Sequence, residues 1–255
     1  MNKKLYSLAV ALVSLLLFLS IPAAAFAQEA FRVDGDLSPE EGAEIFIQTE
    51  ENLKLLEKKL AGLNQTSEKI TELLDRQRAG IPNFIRKELP VPCFIQQNGY
   101  YCGPATVKEV VHYFNGVSSS QEYYANRLGT STGGTTMTQI PGVLNSCITS
   151  NNYAYDDTWS NFNQWATRIM NSIDSGNPVI IDISTDGIQA QMLRLPYDTE
   201  GHYLAIIGYS FDTRAGTLAS IKVSDPHPVY NGLIWYPASD IYKANFNHWR
   251  KAIIW

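Results

Sequence analysis

The 255-residue chain carries 20 lysines and arginines against 25 aspartates and glutamates, a formal charge of -5 at neutral pH. With no basic run, that balance argues against nucleic acid and anionic membrane surfaces as partners. The length accommodates one good core and an appendage.

Lys3 and Lys4 precede an apolar run from Leu8 to Ala25, which ends in the small-x-small pattern Ala25-Phe26-Ala27. This predicts a cleavable signal peptide over residues 1–27, and hence a secreted or extracytoplasmic protein. The alternative is a retained anchor, because the run approaches membrane-spanning length. No later stretch is long enough to cross a bilayer, so no stable membrane insertion is expected after cleavage. Residues 28–88 form a second region. Ser38-Pro39-Glu40-Glu41 has the pattern of a capping box. Leu53, Leu56, Leu60, Leu63, Ile70 and Leu74 then recur at three- and four-residue steps, predicting an apolar stripe on one or two helices with a possible break near Asn64-Gln65-Thr66. This segment is read as a helical appendage that docks on the domain after it, pairs with itself, or covers a site as a propeptide.

From Leu89 the texture becomes α+β. Pro104 opens a helix that Gly116 closes. Shorter helices are predicted over 137–147, 159–175 and 235–244. Strands are predicted over 178–183, 202–209 and 218–223, the last two joined through residues 210–216, with a closing strand over 252–255.

The cysteines are Cys93, Cys102 and Cys147. An odd count in an exported chain leaves one thiol for chemistry. Either Cys93 and Cys147 pair, or both are small buried hydrophobes. No cysteine or histidine spacing fits a metal site, and no cofactor is expected. Cys102 stands at a helix start in Tyr101-Cys102-Gly103-Pro104, where the thiolate is favoured and orphan amides face an incoming oxyanion. Gln96, six residues upstream, offers a side-chain donor to the same oxyanion, with Gln97 as its competitor. His202, after Gly201 at the head of an apolar strand, is the preferred base; His227, between two prolines, is the rival. Asp225 ends the neighbouring strand and would orient the imidazole, with Asp182 as the weaker alternative.

Taken together, Val91-Pro92, Gln96, Cys102-Gly103-Pro104-Ala105, Gly201-His202-Tyr203 through Gly208-Tyr209, and Asp225-Pro226 resemble the papain-like cysteine peptidases of the bacteriocin-leader-processing type. Among them, the stand-alone secreted bacterial relatives are more similar than the domain fused to an export transporter. The resemblance covers residues 89–255. It implies a papain-like α+β fold, a nucleophile helix packed on an antiparallel sheet, with an N-terminal helical appendage outside it. It further implies Cys102 as nucleophile, His202 as base and acid, Asp225 as orienter and Gln96 in the oxyanion hole. Family members cut peptides after a double glycine. Tyr101 here replaces the acidic residue that often precedes the cysteine, and residues 28–88 have no recognised counterpart.

The reading is therefore a secreted cysteine peptidase acting on peptide or isopeptide bonds through a Cys-His-Asp triad and a thioester acyl-enzyme. The alternative is a catalytically silent papain-like module that binds peptides or cell-wall ligands.

Overall fold

A computed structural model describes residues 49–76, 83–185 and 196–255, all within the unit Val33–Trp255. The predicted signal peptide and the capping box at Ser38 lie outside the described residues.

The leucine-rich stripe folds as one helix, α1 (Glu50–Arg76), continuous through Asn64-Gln65-Thr66. Its inner face is not quite the predicted one. Leu56 is buried and Leu55, Leu60 and Leu63 pack against the core, whereas Leu53 stays exposed. The Asn52 side chain gives and receives a peptide-like pair of bonds with Tyr155, donating to its carbonyl at 3.1 Å and accepting from its N–H at 2.9 Å.

Strand β1 (Phe84–Glu88) comes next. It belongs to the sheet, although the sequence placed these residues in the helical segment. After it lie α2 (Cys102–Asn115), α3 (Gln121–Leu128), a 3₁₀ turn at Met137–Gln139 leading into α4 (Ile140–Cys147), β2 (Tyr155–Asp156) and α5 (Phe162–Asp174). The chain continues through β3 (Val179–Ile183), β4 (His202–Asp212), β5 (Thr217–Asp225), β6 (Gly232–Pro237), α6 (Ala238–Asn247) and β7 (Ile253–Ile254). The helix predicted from Trp235 thus begins three residues later: Trp235–Pro237 are strand, and only from Ala238 does the apolar spacing follow a helical period.

Seven strands among the described residues form one antiparallel sheet in the order β2-β7-β3-β4-β5-β6, with β1 beside the far half of β4. β7, from the last residues of the chain, lies between β2 and β3. Every residue of β3 and the first nine of β4 are buried, so both faces of the central sheet are covered. α2 packs on β4, α6 on β3 and β5, and α5 across β4 and β1. Gly208 permits the close approach of β1, since a Cβ there would lie 2.8 Å from the Lys87 carbonyl oxygen.

A register shift between Ile206 and Gly208 interrupts the β4–β5 ladder, which otherwise pairs Ala205 with Ser224. Continued one step, that register sets Asp225 across from Leu204 and diagonal to His202 on the same sheet face. Diagonal neighbours stand within reach of long side chains. The sheet itself therefore delivers the imidazole to the carboxylate.

Candidate active site

Cys102 is the first residue of α2 and is fully enclosed. Tyr101 caps the helix without a side-chain bond, so the first-turn amides are not taken by a cap. Gly103 is required by crowding: a Cβ at this position would lie 2.5 Å from Thr135 Oγ1. Gly116 ends the helix in the left-handed conformation, φ 71°, with its N–H on the His112 carbonyl. Thr106 ties α2 to β4 by donating to the Tyr203 carbonyl at 3.2 Å.

Burial pushes the Cys102 thiol up. The backbone N–H groups of Tyr203, Gly103 and Cys102 oppose that shift, while the Asp182 charge adds to it. Enclosure thus works against the thiolate that the helix terminus favours. The Tyr203 N–H that acts on the sulfur belongs to the second residue of β4, next in sequence to His202.

His202 is fully buried, and its Nε2 lies 2.8 Å from Asp225 Oδ1. That pairing sets the tautomer with the proton on Nε2, leaving Nδ1 as a lone-pair acceptor. Nδ1 is enclosed and has no hydrogen-bond partner. Among the described residues, the Asp225 carboxylate collects three donors: His202 Nε2 and the His227 N–H on Oδ1, and the Tyr197 hydroxyl on Oδ2 at 2.7 Å.

The other histidines are otherwise engaged. His227 Nδ1 accepts from the N–H groups of Val229 and Tyr230; burial, then the neighbouring His202 charge, pushes this imidazole down to about 4. His248 Nε2 stands 3.5 Å from Asp182 Oδ2, so Asp182 faces a different imidazole from the one that Asp225 orients. His112 meets Ser118.

Gln96 is 3% exposed. Its N–H donates to the Pro226 carbonyl at 2.9 Å, next to Asp225, and its Nε2 donates to the Asn98 carbonyl at 2.7 Å. One amide proton is spent there, which fixes the side-chain orientation and leaves the second proton of the NH₂ group. Gln97 is exposed, and only its backbone N–H is engaged, on Gln121 Oε1. The strap carrying Gln96 is clamped on two sides. Gln121 Nε2 donates to the Ile95 carbonyl, and Glu109 Oε1 accepts from the Phe94 N–H at 2.7 Å.

Glu109, Gln121 and Tyr197 are not singled out by the sequence. Glu109 leaves a trace, since it shares a helix face with Cys102, Ala105 and Thr106 at helical spacing and is the charged member of that face. Its carboxyl is fully enclosed beside Ser224 and Cys93, and burial pushes it up to about 8. Cys93 donates to the Asp225 carbonyl at 3.2 Å, whereas Cys147 meets Arg127 at the other end of the helical layer. All three cysteines are free. The Cys93–Cys147 bond considered from the sequence is not formed.

A family model, the Peptidase C39-like family, matches residues 88–252. The chain belongs to this family. Its α+β layout, a cysteine-bearing helix on an antiparallel sheet, is the papain-like fold of these peptidases. No curated protein matches. Among solved structures, the chain is similar to a double glycine motif protease from an AMS/PCAT transporter in complex with the leader peptide. Identity there is 12%, over 67% of this chain and 96% of that one, with a TM-score of 0.43. It is also similar to the peptidase domain of Streptococcus ComA, a bi-functional ABC transporter of a quorum-sensing pathway. That match has 17% identity over 64% of this chain and 95% of that one, with a TM-score of 0.42. In this C39-like chain, no helix among the described residues is long and apolar enough to cross a membrane.

Proposed function

We propose that the protein is a cysteine peptidase with Cys102 as nucleophile, His202 as base and acid, Asp225 as orienter and Gln96 as an oxyanion donor. One observation carries the reading. An enclosed imidazole at the head of β4 is fixed by a carboxylate through Nε2, its Nδ1 is left vacant, and the helix that begins at Cys102 packs on that same strand. The thiol proton passes to Nδ1 as sulfur attacks the peptide carbonyl. The tetrahedral oxyanion is held by the Cys102 amide and the second Gln96 amide proton. The His202 imidazolium protonates the departing amine. The neutral imidazole then draws a proton from water, which hydrolyses the thioester and frees Cys102.

The substrate is a peptide or isopeptide reaching the protein outside the cytoplasm, with residues 1–27 removed on export. Turnover of a peptide library is expected from the wild type and absent in Cys102→Ala. Gln96→Ala is expected to lower kcat by about a hundredfold or more. Alkylation of Cys102 by iodoacetamide near neutral pH should slow when His202 is replaced by alanine. Persistent turnover by Cys102→Ala, or alkylation indifferent to His202, refutes the mechanism and leaves a peptide-binding module.

A further inference from the structure

The Asp225 carboxylate has two faces, and the triad uses one. Oδ1 serves His202; Oδ2 is held 2.7 Å from the hydroxyl of Tyr197, a residue 6% exposed and outside the catalytic set. A carboxylate torsion is broad and nearly two-fold. Without a partner on Oδ2, the group can tilt about the Oδ1 atom that His202 and the His227 N–H hold. With one, the carboxylate plane is fixed, and so is the direction of the bond to His202 Nε2.

Tyr197 is placed for that work by its own surroundings. Thr185, just beyond β3, donates its hydroxyl to the Tyr197 carbonyl at 3.0 Å. Thr185 also accepts from the Thr199 N–H and donates its own N–H to the Thr199 carbonyl. The two sides of the connection are thereby sewn together immediately before His202. The Tyr197 ring stacks on His227 with centroids 4.5 Å apart and an interplanar angle of 10°. It meets the His202 ring edge-on at 5.3 Å. The ring therefore lies against both partners of the carboxylate–imidazole bond, and excluding water strengthens that bond. Burial and the Asp225 charge raise the phenol well above its ordinary range, so it remains a donor.

We propose that Tyr197 is a positioning residue of the catalytic site, holding Asp225 through Oδ2 and keeping His202 Nδ1 aimed at Cys102. The inference rests on the peptidase reading, and its test is kept separable from that reading. Tyr197→Phe retains the ring and its stacking and removes the hydroxyl alone. Two readouts require no substrate: the pH profile of Cys102 alkylation, and the low-field proton resonance of His202 Nε2–H in histidine-labelled protein.

The expected result is an alkylation rate lowered about tenfold, with a displaced pH profile, and a shifted or broadened low-field resonance. Thr185→Val, which leaves the phenol intact but frees its backbone, should change both in the same direction by less. A superimposable profile together with an unmoved resonance in folded Tyr197→Phe overturns the proposal. If alkylation is as fast in His202→Ala as in the wild type, the peptidase mechanism falls, and the resonance alone then decides whether Tyr197 positions Asp225.

Discussion

Glu109 stands two helical turns beyond Cys102 and joins three parts of the site. Its helix carries the nucleophile, its Oε1 holds the strap of Gln96 through Phe94 N–H, and it lies beside Ser224 and Cys93 under the Asp225 backbone. Raised from 4.5 to about 8, this carboxyl keeps its proton in the folded state when the unfolded chain has released it. Its contribution to stability is therefore full below pH 4.5 and is lost as pH rises from 4.5 to 8. Glu109→Gln retains an acceptor for Phe94 and does not titrate. Relative to the wild type it should gain stability with rising pH, on the order of 1 kcal/mol per pH unit across that window, as read by urea unfolding at pH 5 and pH 8. A constant difference would refute a protonated Glu109. At Gly103, alanine must displace Thr135 or the start of α2. A loss of about 1–3 kcal/mol is expected in the same unfolding assay, with a misplaced sulfur and slower alkylation.

These residues also mark what is readable in the chain. Cys102 before Gly-Pro, His202 after Gly201 and Asp225 before Pro226 each stand at an element boundary that leaves a local signature. The diagonal register that brings His202 to Asp225 comes from strand pairing. Tyr197 and Gln121 carry no such mark, because their roles depend on where connections cross in space. The upward push of burial on the Cys102 thiol is hidden for a related reason: the helix terminus is visible in sequence, but the degree of enclosure is not.

At the scale of elements, α1 works as an edge cover. β2 is an outer strand, and an outer strand offers unpaired N–H and C=O groups to other chains. The Asn52 amide occupies both groups of Tyr155, as a peptide of a further strand would, while Leu56 buries beside them. Asn52→Ala should cost about 1–3 kcal/mol by leaving these backbone groups unpaired, and Leu56→Ala about 2–5 kcal/mol. Thermal unfolding reads both, and light scattering should show self-association of the Asn52 variant. The stripe of α1 is legible as helix, its docking face only roughly: Leu55 packs inward while Leu53 points to solvent. β1 and β6 escape a sequence reading for another reason. Both are short and partly exposed, so their burial alternates too weakly to compete with neighbouring helical spacing.

For the molecule as a whole, two enclosed imidazoles set the acid limit. Burial and the Arg250 charge push His248 down to about 3; His227 is held at about 4. Both are neutral in the fold where the unfolded chain takes up protons. The contribution of these two histidines to stability is therefore full above pH 6.5 and declines as pH falls from 6.5 toward 4 and 3. Calorimetry at pH 5 should detect proton uptake on unfolding, reduced in His248→Gln. Equal uptake in the two proteins would contradict a neutral buried His248.

The position of β7 adds a consequence for synthesis. A ribosome delivers residues 253 and 254 last of all the strands described, yet they occupy the gap between β2 and β3. Until they emerge, Tyr155 and Ile180–Ile181 have no neighbours on those sides, and the central sheet cannot close over its core. Such long-range pairing ties closure of the whole sheet to the last of its described strands.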